Sequence, residues 1–120
     1  MPFNTVRIIK KNRIMLKITQ PITGAELQVA IQDFPNPMSW DKAERACSEL
    51  GSGWRLPTKE ELEAMYIQLH KKGQGNFNYQ HYWSSTEYDD GHAWDFGFND
   101  GAAKVNYKGY TYYARAVRAL

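Results

Sequence analysis

Gly53-Trp54-Arg55-Leu56-Pro57-Thr58-Lys59-Glu60-Glu61-Leu62 is the stretch that leaves this chain the fewest choices. One helix has to stop before it and another has to start inside it. Gly51 and Gly53 can take the positive φ that ends a helix. Thr58 as N-cap and Glu61 three residues later form a capping box, with Pro57 just ahead of it. Glu60, Glu61 and Glu63 suit the positive end of the helix dipole. Trp54 and Leu56 flank Arg55, so a semi-buried guanidinium with a carboxylate or carbonyl partner is expected there.

The segments on either side fit that joint. Ser39 is the expected N-cap of a helix from Trp40 to about Leu50, with Trp40, Ala43, Ala46 or Cys47, and Leu50 on one face. The second helix places Leu62, Met65, Tyr66 and Leu69 inward, carries His70, Lys71 and Lys72 at its negative end, and stops at Gly73. Before the helices, residues 6–10 and 13–18 read as a hairpin turning at Lys11-Asn12. Leu27, Val29 and Ile31 then alternate as in a half-buried strand, and Pro35 and Pro37 end it.

Beyond Gly73, residues 74–80 read as an exposed loop and 82–86 as a short strand. Trp94, Phe96 and Phe98 alternate on one face, Asn99-Asp100-Gly101 marks a turn, and residues 103–107 form the returning strand. Residues 113–118 make the last strand. Strands, two helices, then strands define an α+β chain.

At 120 residues one domain is expected, spanning 1–120, with a basic amino-terminal hairpin over 1–27. Cys47 is the only cysteine, so no disulfide forms within the chain. The amino end shows no export signal and no apolar run long enough to span a membrane. Cytoplasm, a phage particle or non-standard export are the compartments left open. Net charge is +2, but Arg7, Lys10, Lys11, Arg13 and Lys17 fall within the first 25 residues, which hold no acid. Those lysines and arginines suit the solvated edge of a sheet, or contact with a polyanion.

Four motifs carry a resemblance. Ser39-Trp40-Asp41-Lys42-Ala43, the Gly53–Leu62 stretch, Tyr82-Trp83-Ser84-Ser85-Thr86-Glu87, and Ala114-Arg115-Ala116-Val117-Arg118 occur in an order similar to one bacterial domain family. It is the family of the C-terminal domain of the Legionella collagen-like adhesin, overlapping the Fibrobacter major paralogous domain. The resemblance covers residues 28–120 and implies a C-type-lectin-like fold, with two helices flanking antiparallel sheet and long C-terminal loops. It implies core positions for Trp40, Trp54, Leu56, Trp83 and Val117, with Pro57 a structural residue of the joint. Arg55, Glu61 and Arg118 would be buried or half-buried polar anchors.

Catalytic residues are not expected. His70, His81 and His92 lack the spacing of a metal site, and no nucleophile elbow surrounds Ser84 or Ser85. No cofactor is implied, and calcium is the one metal the sequence leaves open. Phe98-Asn99-Asp100 is similar to the Trp-Asn-Asp element of calcium-dependent lectins, although Asp100-Gly101 also explains itself as a turn. Glu87, Asp89 and Asp90 supply further oxygens.

The stretch from 74 to 113 has the composition of a recognition surface, with tyrosines interleaved with Asn, Asp and His. The candidate ligand contacts are Tyr88, Asp89, His92, Asn99, Asn106, Tyr107, Tyr110 and Tyr112. Aromatic faces stack on sugar rings, and Asn or Asp bind hydroxyls. A noncatalytic module of bacterial or phage origin that binds a glycan or a protein is therefore the leading expectation. One alternative is an assembly subunit pairing through the amino-terminal hairpin. Another is sulfated-polyanion binding by Arg7, Lys10, Lys11, Arg13 and Lys17. Nucleic acid is not among the expected partners.

Overall fold

A computed structural model describes residues 15–120. The expected turn at Lys11-Asn12, and with it Arg7, Lys10, Lys11 and Arg13, lies outside the described residues. Strands β1 (Leu16–Thr19), β2 (Glu26–Val29) and β6 (Val117–Ala119) form one antiparallel sheet in the order β1-β2-β6. Strands β3 (His81–Asp89), β4 (His92–Gly97) and β5 (Ala103–Tyr107) form a second antiparallel sheet in that order. Helices α1 (Trp40–Glu49) and α2 (Lys59–Gln68) come between the two sheets in sequence, and a 3₁₀ turn (His70–Lys72) follows α2. The architecture is α+β, as the alternation of patterns implies.

The joint between the helices folds as its sequence requires. Gly51 and Gly53 sit at φ 76° and 81°. Thr58 Oγ1 accepts from the Glu61 N–H at 3.2 Å, and the Glu61 carboxylate accepts from the Thr58 N–H at 2.9 Å. Arg55 pairs with Glu61, donating to both carboxylate oxygens at 2.7 and 3.1 Å. The burial is uneven, however: Glu61 is buried while the Arg55 side chain is 43% exposed. Arg55 is thus a rim cation over a buried acid, not the semi-buried guanidinium that its apolar neighbours suggest. Its backbone bridges Val117, which ties the joint to the β6 edge of the first sheet.

Two apolar clusters hold the layers. Ile18, Leu27 and Val29 from the first sheet meet Leu62, Met65 and Leu69 from α2 and Tyr82, Phe96 and Phe98 from the second sheet. Each such side chain, fully buried, contributes roughly 1.5–3 kcal/mol. Trp40, Ala43 and Cys47 of α1 pack with Leu56, Trp83, Ala93, Ala114 and Ala116. Trp54 is half-buried beside this cluster, and Pro57 is fully buried.

Several boundaries differ from the sequence pattern. Ile31 is exposed, because β2 ends at Val29 and the alternation does not continue. Leu50 is exposed too, since it caps α1 rather than completing its buried stripe. Phe77 is buried within the loop expected to be exposed. The last strand is only Val117–Ala119; residues before it make isolated bridges and single hydrogen bonds. Strand β3 is longer than expected and carries register shifts between Trp83 and Asp89. The shift frees backbone groups for other partners: the Ser84 carbonyl accepts from Trp40 Nε1 at 2.8 Å, and the Ser85 N–H donates to the Pro57 carbonyl at 2.8 Å. The bulge therefore ties the second sheet to the start of α1 and to the segment leading into α2.

Candidate functional site

The register of the second sheet decides which polar side chains meet. His81 pairs with Gly97, Trp83 with Asp95, Lys104 with Asp95, and Asn106 with Ala93. Directly paired residues share a face, so His81, Trp83, Asp95, Lys104 and Asn106 point to one side. Asp95 lies at its centre with 0% exposure. Its Oδ1 is 2.7 Å from Nδ1 of His81, and its Oδ2 accepts from Nδ2 of Asn106. Among the described residues no lysine or arginine reaches this carboxylate. Two neutral-capable groups therefore compensate its burial, an unusual use of a core position.

A row of tyrosines leads from this face to the opposite one, where Tyr107 pairs with His92. Tyr112 lies against His81, ring centroids 5.4 Å apart, and meets Trp83 edge-on at 4.9 Å. Tyr110 follows at 6.4 Å from Tyr112, and Tyr107 at 5.8 Å from Tyr110. The series continues to His92, 6.2 Å from Tyr107, whose Nδ1 is 2.7 Å from Oδ1 of Asp89. Burial, then the neighbouring Asp95 carboxylate and Tyr110, push the Tyr112 phenol up. The His92 hydrogen bond, helped by the Gly91 and His92 N–H groups, holds the Asp89 carboxyl below the usual range.

The expected contact residues thus fall into three places. Asn106 and Tyr112 lie by Asp95, and Tyr110 links Tyr112 to Tyr107, which shares the opposite face with His92. Asp89 and His92 join them through Tyr107. Tyr88 is exposed and turns its ring toward Trp94 at 6.3 Å, on the opposite face of β4 from Asp95. Asn99 lies in the β4–β5 turn at the far end of β4 from His92, with its side chain over Gly97, the residue that pairs with His81. Lys17 is 3.4 Å from Glu26 in an exposed pair.

Asp100 is occupied by its own turn. Its carboxylate accepts from the Ala102 N–H at 3.1 Å and from Lys104 Nζ at 3.2 Å, and the two bonds, the backbone one first, lower its pKa. Among the described residues no three His, Cys, Asp or Glu side chains converge as metal ligands would. Ser84 is buried and donates to the Trp94 carbonyl at 2.6 Å.

Two groups that sequence reasoning passed over are central. Asp95 reads as the outward partner of Trp94 and Phe96, and only the packing of Trp83 and Ala93, on its own face, against α1 shows that the middle of this face is covered. Arg115 lies inside the fourth motif, yet Arg118 is the arginine that looks like the anchor. Arg115 is completely buried, donating to Asp33 Oδ1 at 2.7 Å and to the carbonyls of Ala30 and Asn76 at 3.0 and 3.3 Å. Arg118 is half-buried, stacked 4.6 Å from the Trp54 ring centroid and donating to Gln28 at 2.8 Å.

A separate groove of about 650 Å³ is lined by Met15, Ala30, Ile31, Phe34, Leu50 and Trp54 among others. Among the described residues, no helix is long and apolar enough to cross a membrane.

Two sheets, a two-helix layer and a long irregular C-terminal half define a C-type-lectin-like domain. A chain of the solved structure entitled "The von Willebrand Factor mutant (I546V) A1 domain-botrocetin Complex" is similar, with a TM-score of 0.55 and 14% identity over 78% of this chain and 91% of that one. At that identity the likeness concerns the fold. The family model of the Lcl C-terminal domain matches residues 18–118, and the chain belongs to that family of adhesin-type binding domains. The match begins at Ile18, within β1, earlier than the four motifs alone reach. No curated protein matches the sequence.

Proposed function

We propose that this domain is a noncatalytic binding module whose ligand, a glycan or a protein, docks on the Tyr107–Tyr112 segment and on the half-buried edge of the Asp95 face at His81 and Asn106. The observation that carries the reading is the row of Tyr112, Tyr110 and Tyr107, spaced 6.4 and 5.8 Å apart beside Asn106. Tyr107 and Tyr110 are each 54% exposed, yet they stand at the end of a strand whose neighbours are locked in register. Rigid aromatic area at low entropic cost, next to polar groups already oriented, is what recognition requires. Membership of an adhesin-type family supports the same reading.

The reading as an assembly subunit and the polyanion reading rest mainly on residues outside the described part. Within it, Lys17 is engaged by Glu26.

The test is retention of ligands by the immobilised domain on a glycan array and from a protein pull-down, with calcium and with chelator. Retention lost in the Tyr107→Ala/Tyr110→Ala double variant supports the reading. Turnover of a small molecule with nothing retained contradicts it.

A further inference from the structure

The acid at the centre of this face does more than fill a core position. A carboxylate only accepts hydrogen bonds, so the atom Asn106 turns toward Asp95 has to be its NH₂, which leaves Asn106 Oδ1 facing away from the acid. The same logic fixes His81. With Nδ1–H donated to Asp95, the neutral ring carries its lone pair on Nε2. Nε2 has no hydrogen-bond partner among the described residues, and no side-chain nitrogen or oxygen there is both sealed and unpaired, so Nε2 opens to solvent. One buried carboxylate thereby orients two outward acceptors, one on either side of it, and the His81 one lies against the ring of Tyr112.

Such a site selects its ligand by hydrogen-bond sense. Two fixed acceptors demand donors, which sulfate, phosphate and carboxylate groups do not supply. The nearby cations are also engaged: Lys104 on Asp100 at 3.2 Å, and Lys108 on Glu87 at 2.7 Å. An anion arriving here meets lone pairs and finds no free counter-charge. A neutral sugar, with hydroxyls on more than one side of its ring, can donate to both acceptors and lay its C–H face on Tyr112.

Resting on the binding-face reading above, we propose that His81 Nε2 and Asn106 Oδ1 are direct ligand contacts for a neutral sugar, bound without a metal ion, and that Asp95 is the residue that positions both. His81 lies outside the group of residues whose type alone marks the surface; its part follows from the register. Asp95 touches no ligand and acts only through the two side chains it holds.

The experiment is titration of neutral oligosaccharides selected on a glycan array into the full chain in EDTA, by calorimetry and by ¹⁵N NMR of the imidazoles. Sugar binding should persist in EDTA and shift the His81 Nε2 resonance. His81→Ala should raise the dissociation constant about tenfold, the effect of one lost hydrogen bond of ordinary strength. Asp95→Asn should weaken binding and alter the His81 tautomer signature in the free protein, which a purely structural role would leave unchanged. Tyr79→Ala, away from this face, should bind as wild type. Should His81→Ala fold poorly, the resonance shift in the wild type still decides. Binding that disappears in EDTA, or that leaves the His81 signal unmoved, overturns the proposal. So does capture of a protein on this face with no sugar bound, an outcome that would leave the binding-module reading standing.

Discussion

Arg115 Nε and Asp33 Oδ1 are 2.7 Å apart, although 82 positions separate them in the chain. Asp33 also accepts from Tyr82 Oη at 2.6 Å and from Asn78 Nδ2 at 2.8 Å on its other oxygen. The Arg115 guanidinium further lies 4.1 Å from the Phe77 ring centroid. This one ion pair therefore connects the end of the β2 segment, the 76–78 loop, β3 and the C-terminal run.

Removing one member strands the other. Arg115→Met should lower unfolding free energy by about 3–5 kcal/mol, because the Asp33 carboxylate loses its charge partner. Tyr82→Phe removes one bond of the same network and should cost about 1–2 kcal/mol. Denaturant unfolding of both variants checks the order of the two effects. Equal losses would contradict the account.

The joint should show itself in acid. Burial pushes the Glu61 carboxyl up, but the bonds from Arg55 and the Thr58 N–H outweigh it and leave the pKa below its ordinary 4.5. A carboxylate lowered on folding contributes stability above its unfolded pKa and loses it as pH falls through the folded one. Glu61→Gln should therefore destabilise most near neutrality, with the gap to wild type closing below pH 4.5. Thr58→Ala, which removes only the cap, should cost about 1 kcal/mol at any pH.

Cys47 is sealed in the α1 cluster, and burial, then the charge of Glu44, raises its thiol to about 12. The thiolate is the reactive form. Alkylation of the native protein at pH 8 should be far slower than in denaturant, and its rate should follow unfolding.

Gly109 has a local role at the binding face. A Cβ there would stand 2.2 Å from Cε2 of Tyr107, whose ring lies across the turn. Since that ring is exposed and can swing away, Gly109→Ala should change stability by about 0.5 kcal/mol or less. It should nevertheless weaken ligand retention, because Tyr107 moves relative to Tyr110. Thermal melting and the array screen separate the two effects.

What the sequence discloses about this fold is mostly local. Thr58 and Glu61 specify their cap within four residues, and the glycines at 51 and 53 specify where α1 ends. The β5 strand follows from its turn. The centre of the candidate site is different in kind. Whether Asp95 is an exposed strand residue or a buried hub depends on the pairing of β4 with β3 and β5, which no window around residue 95 contains. Arg115 and Arg118 sit three residues apart among the same neighbours, and only the packing of Asp33, 82 positions away, tells which one is interior. Tyr88 looks like Tyr112 in composition, and only the register of β3 on β4 puts it on the opposite face from Asp95.

The most direct measurement is amide chemical-shift mapping on the labelled domain with the first ligand that the screens retain. The account predicts shifts concentrated at His81, Asp95, Asn106 and the Tyr107–Tyr112 segment. Shifts clustered instead around Met15, Ile31, Leu50 and Trp54, with the tyrosine row unmoved, would place recognition in the apolar groove and contradict it.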